Sequence, residues 1–461
     1  MNISLQQIAT ACGSKLCHAE GKENMQIQGA VLDSRQVEPG YLFFATRGEK
    51  VDGHSFIPKA VEKGAACVVC EQSAEAEATG VPYILVEDSF QALKDIAEEY
   101  RKSLDVTVVG ITGSVGKTST KEFIAGVLSK QYNVLKTEGN FNNEVGLPLT
   151  ILKIREEHEV AVVEMGISEF GEMHRLSKIA RPDICVLTNI GQCHLENLKS
   201  REGILKAKSE IFDFMNELGY VVLNGDDDML ATVEEVHGIR PVRFGLMKED
   251  IGVENDVYAT DLVNKGLFGC EALMHMEGEG YPIQVPLPGE HMVYNALAAA
   301  CVGRILKMEI PQIVQGIADV QPVGGRSHII RTDSFTVIDD CYNANPVSMK
   351  AALDLLQSAE GRKVAILGDM YELGAREKEL HKEVGSYAME KDLDVMLCVG
   401  ELSQLLYDGA MLAWDGVVDV RYFTTRDELM ESLPEILKEG DTILVKASHG
   451  MHFEEIVKIL L

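Results

Sequence analysis

Residues Val106–Phe123 read "VTVVGITGSVGKTSTKEF". A run of β-branched residues ends at a cluster of glycines, and Lys117 and the hydroxyl residues Thr118, Ser119 and Thr120 follow at the start of a predicted helix. This order of strand, glycine-rich loop and helix is the context of a phosphate-binding loop. Gly113 and Gly116 allow the loop to turn with its N–H groups pointing inward, and the positive end of the helix attracts an anion. Lys117 can reach terminal phosphates, and Thr118 can bind a magnesium ion.

One position departs from the general phosphate-loop pattern G-x-x-x-x-G-K-[ST]. The pattern requires a glycine where this chain has Ile111, and Gly110 lies one residue too early. An ordinary glycine turn before a helix is the alternative interpretation. Because the Gly-Lys-Thr triplet directly follows a strand pattern, we predict that the loop binds the phosphates of ATP or GTP. The loop alone leaves the reaction open.

Length and composition indicate a globular protein of several domains. The chain has 461 residues, for which roughly three domains are expected, and 46% of its residues are hydrophobic. Its formal net charge of −29 argues against nucleic acid or an anionic membrane as the main partner, because both require a cationic surface. The start of the chain lacks the features of a secretory signal, and no apolar run reaches about 18 residues. We therefore expect a cytoplasmic protein without membrane insertion.

The ten cysteines show no framework spacing. Cys67 and Cys70 form a C-x-x-C, but they lie in "GAACVVCEQ", a pattern typical of a short buried strand. Because no second pair lies at zinc spacing, we predict reduced core thiols. A redox or metal site is the alternative.

The order of patterns along the chain predicts an α/β fold in three domains. Residues 1–104 contain short strands among modest helices, which indicates a small mixed α/β domain. Over residues 105–322 apolar strand runs alternate with helical patterns, and this alternation predicts a mostly parallel P-loop-type sheet with helices on both faces. The stretch Pro322–Gly325 is typical of a linker. The alternation then restarts over residues 323–461 and predicts a Rossmann-like domain.

Polar residues follow two strand patterns of the central domain, at the end of the strand where ligand sites of α/β sheets usually lie. "EVAVVEMG" ends its apolar run at Glu164, whose carboxylate can share a magnesium ion with Thr118 because hard cations prefer oxygen ligands. "DICVLTNIGQCHLE" ends in Asn189 and leads to His194. Taken alone, a solvated loop glutamate and a structural histidine are the simpler interpretations.

Lys208 lies on the apolar face of a predicted helix, in "GILKAKSEIFDFMNEL". At about 100° per residue it falls near the centre of an apolar stripe, whereas Lys206 falls on the opposite side. The stripe consists of Ile204, Leu205, Ile211, Phe212, Met215 and Leu218. A buried lysine costs desolvation energy unless it is paired or neutral. Either its stem reaches water, or a lowered pKa lets the amine react with carbon dioxide to form a carbamate suited to bridging metal ions.

Together, these segments resemble the Mur ligase family, the ATP-dependent amide-bond-forming enzymes of peptidoglycan synthesis. "TGSVGKTST" is similar to the nucleotide loop of that family, which shares the departure from the general spacing. "VEMG", "TNIGQCHLE" and "KAKSEI" match the segments that carry the family's magnesium-binding glutamate, its histidine and its carbamylated lysine. The catalytic residues implied by the resemblance are Lys117, Glu164, His194 and Lys208. Two magnesium ions are implied as well, and the implied ligands are Thr118, Glu164, His194 and the carbamate of Lys208.

The resemblance also extends to the nucleoside end of ATP. "GEHMVYNALAA" is similar to the family segment G-x-H-N-x-x-N-x-x-A-A, in which a histidine and an asparagine approach the adenine. These residues are His291 and Asn295 here, and Met292 replaces the asparagine that usually follows the histidine. The ATP-binding residues implied by the resemblance are Thr112, Gly113, Ser114, Val115, Gly116, Lys117, Thr118, His291, Asn295, Arg326, Asp340 and Tyr342.

"DDCYNANPVSMKAAL", "LGDMYELG" and "TEGNFNNEVGLPLT" look like the branch of the family that adds D-alanyl-D-alanine to UDP-N-acetylmuramoyl-tripeptide. The first block of the chain resembles the domain that holds the uridine diphosphate end. "VKASHGMHFEE" stands where this branch usually reads K-G-S-R-G, so Ala447 and His449 are departures and no arginine is present there. The implied substrate-binding residues are Asp33, Ser34, Arg35, Asn142, Asn143, Asp369 and Lys446, of which the last two face the incoming amine.

The chemistry implied by the family proceeds through an acyl phosphate, made from ATP and the terminal carboxylate of the tripeptide, which the amine of the dipeptide then attacks. A site divided between domains requires closure, and we expect hinge motion around Pro322–Gly325 in a monomer.

Three other functions remain open at this point. The diamino-acid-adding Mur ligase carries a D-N-P-R signature that this chain lacks, and the amino-terminal block disfavours a folylpolyglutamate-type synthetase. A nucleotide-dependent switch would leave Glu164, His194 and Lys208 without a shared purpose.

Overall fold

The computed structural model describes residues 1–48, 51–246, 254–322 and 324–461. We refer to residues 1–104 as the amino-terminal part, to 105–322 as the central part and to 324–461 as the carboxy-terminal part. The first predicted domain boundary falls between a helix that ends at Lys102 and a strand that starts at Thr107. The second boundary and the predicted hinge include Val323, which lies outside the described residues. The domain limits therefore stay predictions.

The amino-terminal part contains two small sheets. Its strands are β1 (Ile3–Ser4), β2 (Leu16–Cys17), β3 (Gln26–Ile27), β4 (Gly29–Val31), β5 (Tyr41–Ala45), β6 (Cys67–Cys70) and β7 (Tyr83–Leu85), and its helices are α1 (Leu5–Ala11), α2 (Ile57–Glu62), α3 (Ala74–Thr79) and α4 (Ser89–Lys102). The order of the larger sheet is β2-β7-β6-β5-β4, and β1 pairs with β3. Cys67 and Cys70 are buried free thiols at the two ends of β6, which confirms the predicted strand.

The central part is built on a nine-stranded sheet. Its strands are β8 (Thr107–Thr112), β9 (Val134–Lys136), β10 (Val160–Glu164), β11 (Ile184–Leu187), β12 (Tyr220–Asn224), β13 (Val242–Gly245), β14 (Val257–Asn264), β15 (Cys270–Met276) and β16 (Glu279–Val285). Its helices are α5 (Lys117–Leu128), α6 (Gly146–Leu152), α7 (Glu172–Ala180), α8 (Leu195–Leu198), α9 (Arg201–Ser209), α10 (His291–Ile305) and α11 (Ile310–Ala318). The strand order is β16-β15-β14-β13-β12-β11-β8-β10-β9, and the pairs are parallel except β14–β15 and β15–β16.

Successive residues of the central strands face two different hydrophobic cores. Val108 of β8 lies in a core that continues into the amino-terminal part, whereas Val109 and Ile111 lie in a core formed with α5, α10 and α11. A parallel sheet that is covered on both faces requires this pattern, because side chains alternate along each strand. The predicted α/β fold with a mostly parallel, P-loop-type central sheet is confirmed.

The carboxy-terminal part contains a six-stranded sheet. Its strands are β17 (His328–Arg331), β18 (Thr336–Asp339), β19 (Lys363–Gly368), β20 (Val395–Val399), β21 (Asp419–Phe423) and β22 (Thr442–Lys446), and its helices are α12 (Pro346–Gln357), α13 (Glu377–Met389), α14 (Ser403–Ala413), α15 (Arg426–Ile436) and α16 (Glu454–Leu460). The order is β17-β18-β22-β19-β20-β21, and only the edge pair β17–β18 is antiparallel. Across the described ranges, every helix is too short or too polar to span a bilayer.

The helix that carries Lys208 is shorter than the sequence pattern predicts. α9 ends at Ser209, and a 3₁₀ turn follows at Glu210–Phe212. A 3₁₀ turn has three residues per turn instead of 3.6, so the helical period itself stops there, although Ile211, Phe212 and Met215 of the predicted stripe are buried. Leu218, predicted to lie in the stripe, is 88% exposed, whereas Ile204 is buried as predicted.

A turn of the central part lies against the carboxy-terminal part. This turn, Gly266–Phe268, connects β14 with β15. Leu267 packs on a carboxy-terminal core, and the Arg331 guanidinium lies 4.7 Å from the centre of the Phe268 ring. A Cβ added at the first residue of the turn would lie 3.1 Å from the carbonyl oxygen of Ser358, directly after α12. The two parts therefore touch at a place other than the cleft described below.

Candidate active site

Two glycines shape the loop between β8 and α5. Gly113 has a φ of +152°, and a Cβ added there would lie 1.9 Å from Oγ1 of Thr188. Gly116 has a φ of +83° and precedes the first residue of α5. Other residues rarely adopt these backbone conformations. The glycines therefore let the loop lie directly against the end of β11 while its N–H groups remain at the start of α5.

Asn189 fixes this loop from the segment that follows β11. Its Oδ1 accepts a hydrogen bond from the N–H of Val115, and its Nδ2 donates to the carbonyl oxygen of Val115, both at 2.9 Å. The N–H of Ser114 donates to the carbonyl oxygen of Asn189 at 2.9 Å. Sequence analysis placed Asn189 at the end of a strand but missed this role. Its position at the carboxyl end of a parallel strand was the available signal.

Thr118 and Glu164 form an oxygen pair at the start of α5. Thr118 Oγ1 donates to Glu164 Oε2 at 2.7 Å, and Asn142 Nδ2 donates to Glu164 Oε1 at 2.8 Å. Glu164 is 1% exposed. A hydroxyl and a carboxylate are hard oxygen donors of the kind that Mg²⁺ prefers, so these two residues fit a magnesium ion.

The pKa of Glu164 lies below its usual value although the group is buried. Burial raises this pKa, but the charges of Arg326 and Lys117, together with hydrogen bonds from Thr118 and Asn142, lower it by a larger amount. Glu164 is therefore an anion at neutral pH. A buried carboxylate that is held ionised in a cleft is typical of a functional site.

Two cations approach this carboxylate from different parts of the chain. Lys117 belongs to the central part, and its Nζ donates to the carbonyl oxygen of Gly113 at 2.9 Å. Arg326 belongs to the carboxy-terminal part, and its guanidinium carbon lies 3.9 Å from the centre of the Tyr342 ring. Positive charge from both parts thus faces the space above the phosphate loop, where an anionic ligand would be attracted.

His194 precedes α8 and contacts the carboxy-terminal part. Its Nδ1 lies 2.6 Å from Oε2 of Glu372. The pKa of Glu372 is lowered, mainly because His194 lies beside it. The structure thus places His194 at the junction of two parts of the chain, on a segment that begins at Asn189.

Lys208 is 1% exposed, as the periodicity of its helix predicts. No carboxylate of the described residues pairs with its ammonium group. The pKa of Lys208 is lowered to about 8, mainly because the group is buried; Cys193 opposes this shift and the charge of Lys117 adds to it. A substantial fraction of Lys208 is therefore neutral near pH 8. A neutral amine is the form that reacts with carbon dioxide.

The residues predicted near adenine lie at the start of α10. Burial lowers the pKa of His291, while Asp340 opposes this shift. Asn295 binds within the protein, since its Oδ1 accepts from Thr120 Oγ1 at 2.9 Å and its Nδ2 donates to the sulfur of Met292 at 3.3 Å. Met292, a departure from the family segment, is thus a buried partner of Asn295 and leaves no polar group unsatisfied at that position.

Asp340 and Lys446 form an ion pair in the carboxy-terminal part. Lys446 Nζ lies 2.6 Å from Oδ2 of Asp340 and also donates to the carbonyl oxygen of Asn343 at 2.9 Å. Asp369, predicted to face the amine with Lys446, instead accepts from the N–H and hydroxyl of Ser403, both at 2.7 Å. The structure brings Lys446 to the cavity described below, whereas Asp369 is not one of the residues that line that cavity.

The predicted uridine-diphosphate residues lie apart from the cleft. Asp33 pairs with Arg35 at 2.7 Å, and the side chain of Arg35 is 79% exposed. Ser34 is buried in the same short 3₁₀ turn. None of the three lines the cleft. Asn143, by contrast, lines it, and its Oδ1 accepts from the N–H of Gly146 at 2.9 Å.

A cavity of about 670 Å³ brings most of the predicted residues together. Those that line it are Ser114, Val115, Gly116, Lys117, Thr118, Asn142, Asn143, Glu164, His194, His291, Asn295, Arg326, Asp340, Tyr342 and Lys446. Sequence analysis missed other polar lining residues, which include Asn224, Asp226, Asp227, Tyr294, Asn345 and Ser348. Asn224 ends β12, so its position at the end of a strand could have predicted it as a site residue. Asn345 and Ser348 lie at the start of α12, and no sequence pattern indicated that they line the cavity.

Protein side chains alone do not complete a metal site here. Within the described ranges, no three histidine, cysteine, aspartate or glutamate residues surround a common metal position. A cation beside Thr118 and Glu164 therefore needs further oxygen ligands from a phosphate or from water. Oγ1 of Thr112, at the start of the phosphate loop, is also buried without a hydrogen-bond partner among these residues.

Three family models match successive segments of the chain. The model for the catalytic domain of the Mur ligase family matches residues 26–101. The model for the Mur ligase middle domain matches 111–303, and that for the Mur ligase glutamate ligase domain matches 325–449.

Individual relatives cover nearly the whole chain. The UDP-N-acetylmuramoyl-tripeptide–D-alanyl-D-alanine ligase of Bacillus subtilis (strain 168) is 39% identical over 442 residues, which are 95% of this chain and 94% of the relative. A crystal structure of MurF from Acinetobacter baumannii is similar with a TM-score of 0.89 and 31% identity, covering 100% of this chain and 99% of the other. The MurF ligase of Thermotoga maritima, solved in complex with ADP, is similar with a TM-score of 0.79 and 30% identity, covering 94% and 96%.

Proposed function

This chain belongs to the Mur ligase family, and we propose that it is the ATP-dependent ligase that adds D-alanyl-D-alanine to UDP-N-acetylmuramoyl-tripeptide in peptidoglycan precursor synthesis. The observation that carries this proposal is the single cavity in which the phosphate loop and Glu164 face Arg326 and Lys446 of the carboxy-terminal part. Such a cavity suits a reaction between two bound substrates and a nucleotide. The identity with D-alanyl-D-alanine ligases over nearly the full length supports this branch over the alternatives.

The chemistry activates a carboxylate, which is a poor acceptor for an amine. A carboxylate oxygen of the tripeptide attacks the γ-phosphorus of ATP, the bond to ADP breaks, and an acyl phosphate forms. The amine nitrogen of the dipeptide then attacks the acyl carbon, phosphate leaves, the nitrogen loses a proton to the surrounding solvent, and an amide remains. Phosphoryl transfer mainly requires positioning and charge neutralisation. The N–H groups of the loop, Lys117 and Arg326 supply both.

We propose that two magnesium ions bind at this site. Thr118 and Glu164, which line the cavity, would hold one of them, and His194 would hold the other together with a carbamate on Lys208, which is not one of the lining residues. When bound, these ions neutralise negative charge as a carboxylate and a phosphate approach each other. Support for the carbamate comes from the burial of Lys208 and its pKa of about 8.

The carbamate would form from the neutral amine of Lys208. Its nitrogen attacks the carbon of carbon dioxide, a nitrogen–carbon bond forms, and one proton leaves to solvent. The product is an anion on a long side chain, which removes the cost of a buried unpaired ammonium and provides a hard oxygen ligand.

The remaining assignments concern the two substrates. Asp33, Ser34 and Arg35 would bind the uridine diphosphate end, and Asn142 and Asn143 the muramoyl peptide. Lys446 and Asp369 would lie on the side of the incoming amine. Because Asp369 is hydrogen-bonded to Ser403, it would stabilise the structure around the site. We also propose that the protein is cytoplasmic and monomeric.

Phosphate release tests the function directly. Turnover should require ATP, a UDP-N-acetylmuramoyl-tripeptide and D-alanyl-D-alanine together, and it should be lost in Lys117→Ala. Phosphate release without either the tripeptide or the dipeptide would instead favour a nucleotide-dependent switch. A panel of tripeptides and amines in the same assay would define the third residue of the acceptor and would expose a preference for a free diamino acid.

A further inference from the structure

A carboxylate of the carboxy-terminal part contacts the histidine of the candidate active site. Nδ1 of His194 is buried and lies 2.6 Å from Oε2 of Glu372, but the ring is not turned so that its N–H points at this oxygen, and Nδ1 has no hydrogen-bond partner among the described residues. His194 lines the cavity, whereas Glu372 is not one of its lining residues. Glu372 therefore touches the imidazole without being placed to touch a ligand of the cavity itself.

The backbone at both ends of this contact is in a conformation that residues other than glycine rarely adopt. The φ of His194 is +50°, and that of Glu372 is +63°. Such conformations persist only where surrounding contacts hold them, and they concentrate at functional sites.

Hydrogen bonds fix the segment that carries Glu372. The N–H of Met370 donates to Nε2 of His381 at 3.0 Å, and the N–H of Tyr371 donates to Oγ of Ser448 at 2.9 Å. Glu372 thus extends from a segment that is tied to both α13 and the loop after β22. The segment before Glu372 is therefore held by contacts within the carboxy-terminal part.

Close packing between the two parts surrounds the contact. Leu195, the residue after His194, packs on a core of the central part and on a core of the carboxy-terminal part. A Cβ added at Gly374 would lie 3.1 Å from the Cα of Glu196. The pair His194–Glu372 is therefore present only while these parts lie against each other.

We propose that Glu372 is a positioning residue: when a divalent cation binds, a small rotation of the His194 ring turns its Nδ1–H onto the Glu372 carboxylate, and this hydrogen bond directs the lone pair of Nε2 to the cation. A neutral imidazole carries one proton, so fixing it on Nδ1 leaves Nε2 as the acceptor. Because Glu372 comes from the carboxy-terminal part, His194 becomes a well-oriented ligand only when the cleft is closed. This inference rests on the proposed function and links closure to the second metal site.

Manganese binding tests the proposal without turnover. Wild type, Glu372→Ala, Glu372→Gln and the control Glu379→Gln would be titrated with Mn²⁺ in the presence of a non-hydrolysable ATP analogue. Glu379 is 58% exposed and pairs with Arg376 on a neighbouring turn. We expect 10–100-fold weaker binding at one of two sites in Glu372→Ala, the size typical of a lost outer partner of a metal ligand. Glu372→Gln should lose less, since its amide oxygen still accepts, and the control should match wild type.

The ¹⁵N resonances of histidine provide a second readout, with His194 assigned by the spectrum of His194→Gln. Wild type should show the Nδ1–H tautomer, and Glu372→Ala a mixture of tautomers. Unchanged manganese affinity and an unchanged tautomer in Glu372→Ala would overturn the proposal. If Glu372→Ala unfolds, the isosteric Glu372→Gln replaces it in both measurements. Manganese affinity and a tautomer equal to those of wild type in Glu372→Gln would then overturn the proposal. Failure of the coupled phosphate assay in wild type would instead refute the proposed function. Manganese affinity and the tautomer of His194 are measured without turnover, so the two failures can be told apart.

Discussion

At the residue scale, the burial of Lys208 is the clearest agreement between sequence and structure. A period of 3.6 residues placed it on the apolar side of α9, and the side chain is 1% exposed. The length of the stripe was wrong, because periodicity does not reveal the 3₁₀ turn at Glu210–Phe212. Local patterns thus predict which face is buried better than where a helix ends.

Replacement of this lysine tests the carbamate. Lys208→Ala should lower turnover at least about 100-fold, a typical loss when a charge-stabilising group is removed from an active site. Small carboxylic acids should partly restore activity, because they can occupy the vacated space as oxygen ligands. The matched control is Lys206→Ala, which changes an exposed lysine on the same helix and should stay near wild type. Near-normal turnover of Lys208→Ala would remove the second metal ligand.

His381 is expected to make stability depend on pH. It is fully buried, its Nε2 accepts from Met370, and burial lowers its pKa. The unfolded state therefore binds a proton more readily, so this contribution to stability is present above pH ~6.5 and is lost as the pH falls below it. Between pH 7.5 and 5.5, the melting temperature of His381→Gln should fall less than that of wild type, by roughly 2–4 °C.

The control for this experiment is His174→Gln, since the side chain of His174 is 51% exposed. Its melting temperature should follow wild type at both pH values. An equal fall in His381→Gln and wild type would show that His381 does not contribute to the pH dependence.

At the scale of elements, the phosphate loop depends on a neighbour that its own sequence does not reveal. The pattern from β8 to α5 predicted the loop, because strand, glycines and helix are consecutive in the chain. The hydrogen bonds from Asn189 join segments about 74 residues apart, as the separation from Val115 shows. No local pattern specifies such a pairing, and the contact of Glu372 with His194 was missed for the same reason.

Removal of that amide should weaken nucleotide binding. Asn189→Ala loses two hydrogen bonds to Val115, each worth about 1 kcal/mol, so the Kd for ATP should rise by up to about 30-fold. Isothermal titration with ATP and Mg²⁺ would measure it. Asn197→Ala changes an exposed asparagine on the same chain segment and should bind ATP as wild type does. Equal Kd values for the two variants would contradict the role assigned to Asn189.

At the scale of the whole molecule, alternation of strand and helix patterns predicted most of the buried parallel strands of both large sheets. Our sequence analysis did not identify the antiparallel strands β14 to β17, nor the shorter or outer parallel strands β9, β13 and β21. Long alternating or mixed strands at a sheet edge have weaker hydrophobic signals than strands buried on both faces.

Closure of the cleft is expected to change the shape of the protein. Solution scattering with and without ATP analogue and tripeptide should give different profiles, because ligands that bind both parts favour the closed arrangement. The same data at several concentrations would test the monomer. Identical profiles in all conditions would count against hinge motion at Pro322–Gly325.

The turn Gly266–Phe268 sets how such a motion can proceed. It touches the residue after α12, whereas Val347 and Ser348 at the other end of α12 line the cavity. The helix has 12 residues and is about 18 Å long, so it would act as a lever arm if the two parts rotate about this turn. A rotation of about 10° around the pivot would displace the cavity end by about 3 Å, which follows from this length. Substrates could then enter and products leave after a small rotation. Leu267 would stay packed on the carboxy-terminal core, so no large apolar surface would be exposed to water.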